Sequence, residues 1–345
     1  MSSNFQLSIY LAFISAIFIS FLLNFFSLKY LNFNFSKSKK TEKRLSTKNI
    51  PTFGGVAMSL SFFISTRLLG EVENDILQLA FFAIFITLIG FLDDIYNLNW
   101  KTKFSLQILA IGIPIFTLEI FLQIEALLKV NYNNVLNSFV SIFWILLIVN
   151  SLNFLDNMDG LAATVAIFIA ISLSILSYTT NQFRLTDICI ILFGSILGFS
   201  YFNYPTAKLY MGDSGSLFIG YCLGFISILF TWNSEINSFW NLPVPPVILF
   251  FSIPLIDFVT VVFSRLKSGT SPMTGGTDHI SHRLLNLGYS NRKVLLNFAV
   301  FSTFIFLITL TILFTNQIIS TIAISIYIFV VCVALTYFQK LKPLD

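Results

Sequence analysis

The sequence predicts an all-α protein that crosses a membrane about eleven times, and three observations predict it. Of 345 residues, 56% are hydrophobic and only 10% charged, whereas a soluble domain is about a quarter charged. The 41 phenylalanines are too many for one soluble core. Long apolar runs recur at about the 20 residues a spanning helix needs. They lack the two-residue alternation of membrane-barrel strands.

In chain order the spans are expected at 7–28, 52–69, 77–96, 104–124, 137–155, 160–178, 187–202, 214–232, 243–264, 294–314 and 318–338. The first is too long for a signal-peptide core. It has no basic residue before it and several after it, the reverse of a secretory signal. The second contains Gly54-Gly55 and Arg67, and the seventh is short. Cys189, Cys222 and Cys332 all lie in apolar runs, without a CxxC pattern, and read as packing residues. No internal repeat supports an inverted-repeat transporter. Residues 1–345 read as one membrane domain, with the informative motifs between about 44 and 296.

Lysine and arginine set the orientation. With the N-terminus outside, 17 of the 20 fall in inside loops, and only Arg67, Lys129 and Arg184 fall outside. The outer loops collect Glu71, Glu73, Asp75, Glu125 and Glu235. The expected protein is a multi-pass protein of the cell membrane with its C-terminus inside. The net charge of +4 points to no nucleic-acid partner.

The same alternation brings every unusual polar motif to the inside face. The central one is Asn150-Ser-Leu-Asn153-Phe-Leu-Asp156-Asn157-Met-Asp159-Gly160. Ionised groups beside a bilayer core are costly and are kept where they face a cavity or perform chemistry. Asn150, Asn153, Asp156 and Asp159 recur every three residues, so on a helix each neighbouring pair would share a face. Asp93-Asp94 ends the third span. Two adjacent acids repel unless a cation or a proton lies between them. Lys103 and Gln107, one helical turn apart, are placed to meet phosphate oxygens together. Gly212-Asp213-Ser214-Gly215-Ser216 opens the eighth span, offering backbone N–H groups to an anion and a carboxylate to a hard metal. His279 and His282 are the two histidines of the chain. No cysteine completes a zinc set with them, so contact with a diphosphate or a sugar is the better assignment. Lys37 to Lys48 is a topology signal beside anionic lipid, in which Arg44 or Lys48 would meet a phosphate. Glu119 is the one acid expected well inside a span.

Together these stretches resemble the polyprenyl-phosphate N-acetylhexosamine-1-phosphate transferases. The motifs follow in that family's order: Pro51-x-x-Gly54-Gly55, Asp93-Asp94, Lys103-x-x-x-Gln107, Asn153-x-x-Asp156-x-x-Asp159-Gly160, Met211-Gly-Asp213-Ser-Gly-Ser216, and a late histidine loop. The resemblance implies a Mg²⁺-dependent enzyme, with Mn²⁺ able to substitute. It would join a UDP-N-acetylhexosamine to a polyprenyl (undecaprenyl) phosphate and release UMP, the first membrane step of a surface polysaccharide or wall polymer. It implies catalytic roles for Asp93, Asp94 and Asp156, and metal contact for Asp213 and Asn153. Substrate contact is implied for Lys103, Asp159, Asn203, His279, His282 and Arg283, with Lys48 a further phosphate contact. A homodimer among membrane lipids is the assembly it suggests. Two positions depart from the pattern: Asn157 stands where the family often has glycine, and Ser281 stands where it usually has another histidine. The Asp-His-x-Ser-His-Arg-Leu form is nearer the GlcNAc-1-phosphate branch than the phospho-N-acetylmuramoyl-pentapeptide branch. A membrane aromatic prenyltransferase would also use inside acids with Mg²⁺, but with other spacings and without the histidine loop. An ion-coupled transporter predicts acids near mid-bilayer. A catalytically dead scaffold would have no need of the intact set Asp93, Asp94, Asp156 and Asp213.

Overall fold

The computed structural model describes residues 3–30, 50–69, 74–122, 134–232, 249–273 and 275–341. Lys48, with Arg44 and the rest of the basic stretch, and the outer acids Glu71, Glu73, Glu125 and Glu235 lie outside the described residues. The described chain is helical: α1 Ser3–Tyr30, α2 Gly54–Arg67, α3 Asn74–Tyr96, α4 Trp100–Leu118, α5 Asn134–Leu155, α6 Leu161–Thr179, α7 Phe183–Asn203, α8 Gly212–Trp232, α9 Ser252–Lys267, α10 Ile280–Asn286, α11 Asn291–Phe314 and α12 Gln317–Lys340. Among the described residues no strand forms, only an isolated bridge between Thr52 and Tyr210.

Among the described residues, eight helices are long and apolar enough to span a membrane, against the eleven expected. The differences are α2, α4 and α9. α2 has 14 residues, about 21 Å at 1.5 Å per residue, short of the ~30 Å hydrocarbon core. α4 begins earlier than expected, at Trp100, so its first two turns carry Lys101, Lys103 and Gln107, and it ends before Glu119. α9 has 16 described residues, and positions 243–248 of that expected span lie outside the described residues.

The architecture is a bundle around α8. Of its Gly212–Phe230 stretch 89% is buried, against 11% of Ile318–Lys340 in α12, so α8 is the axis and α12 the rim. α8 packs against α2, α3 and α5, with smaller contacts to α6 and α7, while α12 touches α9 and α11. Leu11, Ile14 and Phe18 of α1 and Ile322, Phe329 and Val333 of α12 are exposed. An apolar belt of that size suits lipid rather than water.

Lipid tails are as apolar as leucine, so small residues and buried hydrogen bonds hold such helices together. α1 docks on α7 and on α2 in this way. Ser20 Oγ donates to Ser195 O at 2.7 Å and Ser61 Oγ to Ala16 O at 2.6 Å, each worth about 0.6 kcal/mol. α3 and α8 approach closely near the polar end. A Cβ on Gly90 would lie 2.5 Å from the Asp213 carbonyl carbon and oxygen. Gly90→Ala is therefore expected to push α3 from α8, lowering the melting temperature in detergent and abolishing activity. A variant that melts and turns over like the parent would refute the tight packing assigned to this contact.

Candidate active site

Asp93 and Asp94 are successive residues of α3, about 100° apart around the helix, and they serve different partners. Asp94 accepts from the backbone N–H of Asp213 at 2.9 Å and of Ser214 at 3.2 Å. It thus caps α8 from a neighbouring helix, where unsatisfied amides and the helix dipole favour an anion. Gly212 makes room for that carboxylate: its φ is +68°, and a side chain there would strike Asp94. Asp93 turns the other way. Its Oδ1 accepts from Leu98 N at 2.7 Å and its Oδ2 lies 2.8 Å from Lys103 Nζ. The expected repulsion of the acid pair is relieved by this division, one carboxylate on helix amides and the other on an ammonium.

Lys103 is set by the first turn of α4, which Asn99 caps by accepting from Lys101 N. Its Nζ also reaches Asp213 Oδ2 at 2.5 Å. Asp213 Oδ1 accepts from Asn153 Nδ2 at 2.8 Å, and the same amide reaches Ser216 Oγ at 2.8 Å. Asn153, assigned to the metal by resemblance, thus presents its amide nitrogen to Asp213 and orients that carboxylate. Gln107 does not join Lys103. It is fully buried, and its Oε1 accepts from Asn150 Nδ2 at 3.1 Å.

The three-residue spacing of Asn150, Asn153, Asp156 and Asp159 is helical only at its start, because α5 ends at Leu155. Asp156 and Asp159 lie in the turn that follows. Asp156 is half-buried there. Asp159 Oδ2 accepts from Ala207 N at 3.0 Å. Asn203 accepts from Gly160 N at 3.0 Å and donates to Leu209 O at 2.9 Å. Asn203 is buried, and both ends of its amide fasten the 156–160 turn to the 203–211 loop, so its role here is to hold loops. Gly54 N and Gly55 N donate to Tyr210 O and Met211 O, both at 3.1 Å. This sets the Pro51–Gly55 motif beside Asp213.

The histidine segment docks on the same end. His279 Nδ1 lies 2.8 Å from Asp257 Oδ2. Asn157, the first departure from the family pattern, accepts from Ser281 Oγ, the second, at 2.5 Å, and its carbonyl lies 3.3 Å from His282 Nε2. Arg283 was expected at the substrate. Instead it is buried, donating to Asp278 O at 2.8 Å, Phe338 O at 2.7 Å, Leu341 O at 2.6 Å and Ser264 Oγ at 3.1 Å. Its guanidinium ties the segment to the last turn of α12. Arg265 holds Asp278 through two bonds of 2.9 and 2.7 Å and lies over the Phe154 ring at 5.5 Å.

Sequence reasoning missed Asp257, Arg265, Phe154 and the part played by Asn157, and it quoted Asp278 in the histidine motif without a role. Asp257 was findable: an acid in an apolar run is a functional flag. Instead Glu119 was expected to be the acid inside a span. It is exposed and stands past the end of α4 in left-handed conformation, φ +53°, while Asp257 is fully buried in α9.

Burial alone would raise the pKa of Asp278, but the paired Arg265 overrides it and holds the carboxyl below 3.8. Burial also lowers His282 from 6.5, against the opposing bond to Asn157 O. A His that stays neutral when folded and protonates when unfolded loses stabilisation as pH falls below 6.5 through its folded value. Acidification from pH 7 to 5 should therefore lower the melting temperature, and His282→Gln should flatten that slope. An unchanged slope in the variant would remove the assignment.

The cluster is a set of hard oxygen donors around one ammonium. Among the described residues no three acid, His or Cys side chains converge to hold a metal unaided. A Mg²⁺ ion, however, is commonly held by one or two carboxylates together with water and substrate phosphates. Asp213 and Asp93, both on Lys103, fit that requirement.

The family model described as Glycosyl transferase family 4 matches residues 76–231. A Bacillus subtilis protein, the probable undecaprenyl-phosphate N-acetylglucosaminyl 1-phosphate transferase, is 27% identical over 260 residues, covering 74% of this chain and 71% of its own length. The decaprenyl-phosphate N-acetylglucosaminephosphotransferase of Mycobacterium leprae is 27% identical over 284 residues, with the same two shares. The phospho-N-acetylmuramoyl-pentapeptide-transferase of Rickettsia prowazekii is 33% identical over 232 residues, covering 56% of this chain and 62% of the relative.

Proposed function

We propose that the chain is a member of glycosyl transferase family 4, whose model matches residues 76–231, and that it transfers N-acetylglucosamine 1-phosphate from UDP-GlcNAc to a polyprenyl phosphate. A lipid phosphate oxygen attacks the sugar-bearing phosphorus of the donor. The bond from that phosphorus to the bridging oxygen breaks, and UMP leaves with the oxygen. The products are polyprenyl-diphosphate-GlcNAc and UMP.

One observation carries this reading: Lys103 lies between Asp93 and Asp213, with Asn153 on the far oxygen of Asp213. Four motif segments remote in sequence meet there at one end of the bundle. Phosphoryl transfer needs positioning and charge neutralisation more than covalent help from the protein. Lys103 supplies a fixed cation for phosphate oxygens. Asp213, oriented by Asn153, together with Asp93 would hold Mg²⁺, which when bound neutralises charge building on the reacting phosphates. Asp93 also stands where it would position the lipid phosphate, and Asp156 lies in the turn beside the cluster. His279 and His282 belong to the donor side. The lysine and arginine distribution supports a cytoplasmic active site, an outside N-terminus and an inside C-terminus. The acids of this cluster gather at helix ends rather than at mid-bilayer, which argues against an ion-coupled transporter.

The greater identity to the Rickettsia relative keeps a second donor in play, a UDP-N-acetylmuramoyl-pentapeptide. The deciding experiment is UMP release by the purified chain with undecaprenyl phosphate, Mg²⁺ and a panel of UDP-sugars. Lipid-dependent UMP with UDP-GlcNAc is expected. UMP only with the muramoyl-pentapeptide donor would transfer the assignment to that branch, and none with any donor would refute it.

A further inference from the structure

Asp257 is fully buried on α9, in the apolar run that precedes the histidine segment, and both of its oxygens are engaged there. Oδ1 accepts the backbone N–H of Ile280 at 2.8 Å, and Oδ2 lies 2.8 Å from His279 Nδ1. We propose that Asp257 is a positioning residue that fixes the proton of His279 on Nδ1, so that Nε2 is the nitrogen His279 offers to the nucleotide-sugar donor. This deepens the transferase reading and rests on it.

The argument is one of donors and acceptors. A carboxylate only accepts, so the nitrogen facing Oδ2 carries a proton. The backbone amide on Oδ1 prevents the carboxylate from turning away, and the bond at Nδ1 then determines which atom of the ring is left for another partner. The ring is held further by edge contacts to Phe154, with centroids 6.0 Å apart, and to His282 at 5.8 Å. His282 is held the opposite way, because its Nε2 faces the Asn157 carbonyl, which requires a proton on Nε2. The two histidines thus have opposite tautomers, one imposed by α9 and the other by the turn that follows α5. Burying an acid in an apolar helix is costly. A main-chain donor could satisfy only one of its oxygens, and the other is directed at the imidazole.

Asp257→Asn tests this sharply. The Ile280 N–H still needs an oxygen, so the new Nδ2 must face His279. Nδ1 must then accept, and the ring proton moves to Nε2. The chain has two histidines, so ¹⁵N-histidine NMR of the full-length protein, carried on a histidine-free tag, resolves both. Wild type is expected to show His279 protonated at Nδ1. Asp257→Asn is expected to move that proton to Nε2, leave His282 unchanged, and lower kcat/KM for UDP-GlcNAc about 10- to 100-fold. In a His279→Ala background Asp257→Asn should cost less than about two-fold, since its effect passes through that ring. A bare Nδ1 in wild type overturns the proposal, whether or not the variant folds. So does a flipped tautomer with wild-type kcat/KM, or an equal loss in both backgrounds. The spectrum needs no substrate. Failure of the transferase reading appears instead as absent wild-type turnover with UDP-GlcNAc.

Discussion

Asp213→Asn is expected to reduce UMP release by about 10³-fold or more, some 4 kcal/mol of transition-state stabilisation, in a protein that still folds and inserts. Asparagine is the same size, and its oxygen can still accept from Asn153 Nδ2 or from Lys103, both partners of Asp213. Lys103 also keeps Asp93 at 2.8 Å. What is lost is one negative charge in a cluster where Asp93, Asp94 and Asp213 outnumber a single ammonium. Removing it eases mutual repulsion, so the melting temperature should hold or rise while turnover collapses. Asp93→Asn is expected to behave in the same direction. Steady-state UMP release paired with a thermal melt checks both quantities. Turnover within ten-fold of the parent would remove Asp213 from the centre of the site.

Chelation should have an effect of similar size. Adding EDTA is expected to lower UMP release at least about 100-fold, with full recovery on Mg²⁺ and recovery also on Mn²⁺. The reason is charge. A diphosphate and a lipid phosphate must approach a cluster that already carries more carboxylates than ammonium groups. Two like charges about 4 Å apart repel by ~4 kcal/mol at an effective dielectric of 20, and Lys103 is shared between two acids already. Turnover that persists in EDTA would mean that Lys103 and unassigned cations neutralise the phosphates unaided.

Much of the site could be read in the chain because function here concentrates charge where the solvent is lipid. Asp93, Asp94, Lys103, Asn153 and Asp213 stand out against apolar surroundings, and all five prove to meet at Lys103 or Asp213 directly, Asp94 through the Asp213 backbone amide. Roles were harder to read than membership. Asp93 and Asp94 are neighbours in sequence with opposite tasks, and only the position of α8 shows that Asp94 caps it. Asn203 and Arg283 are conspicuous polar residues whose partners are main-chain groups of distant loops, and a linear pattern contains no record of such partners. Asn157 and Ser281 are two separate departures from a motif until the fold puts them 2.5 Å apart.

Composition and run length were enough for a helical membrane protein, and motif order was enough for a family resemblance, because the cost of burying charge in lipid is written residue by residue. Span number was not determined this way. The length of α2 and the early start of α4 depend on neighbouring helices and polar ends, not on apolar content. Nor was the division of labour among the acids, the stapling of the histidine segment by Asp257 and Asn157, or the anchoring of Arg283 on α12. Those depend on which groups packing brings within about 3 Å, and hydrogen bonds are directional and short-ranged, so the three-dimensional arrangement alone decided them.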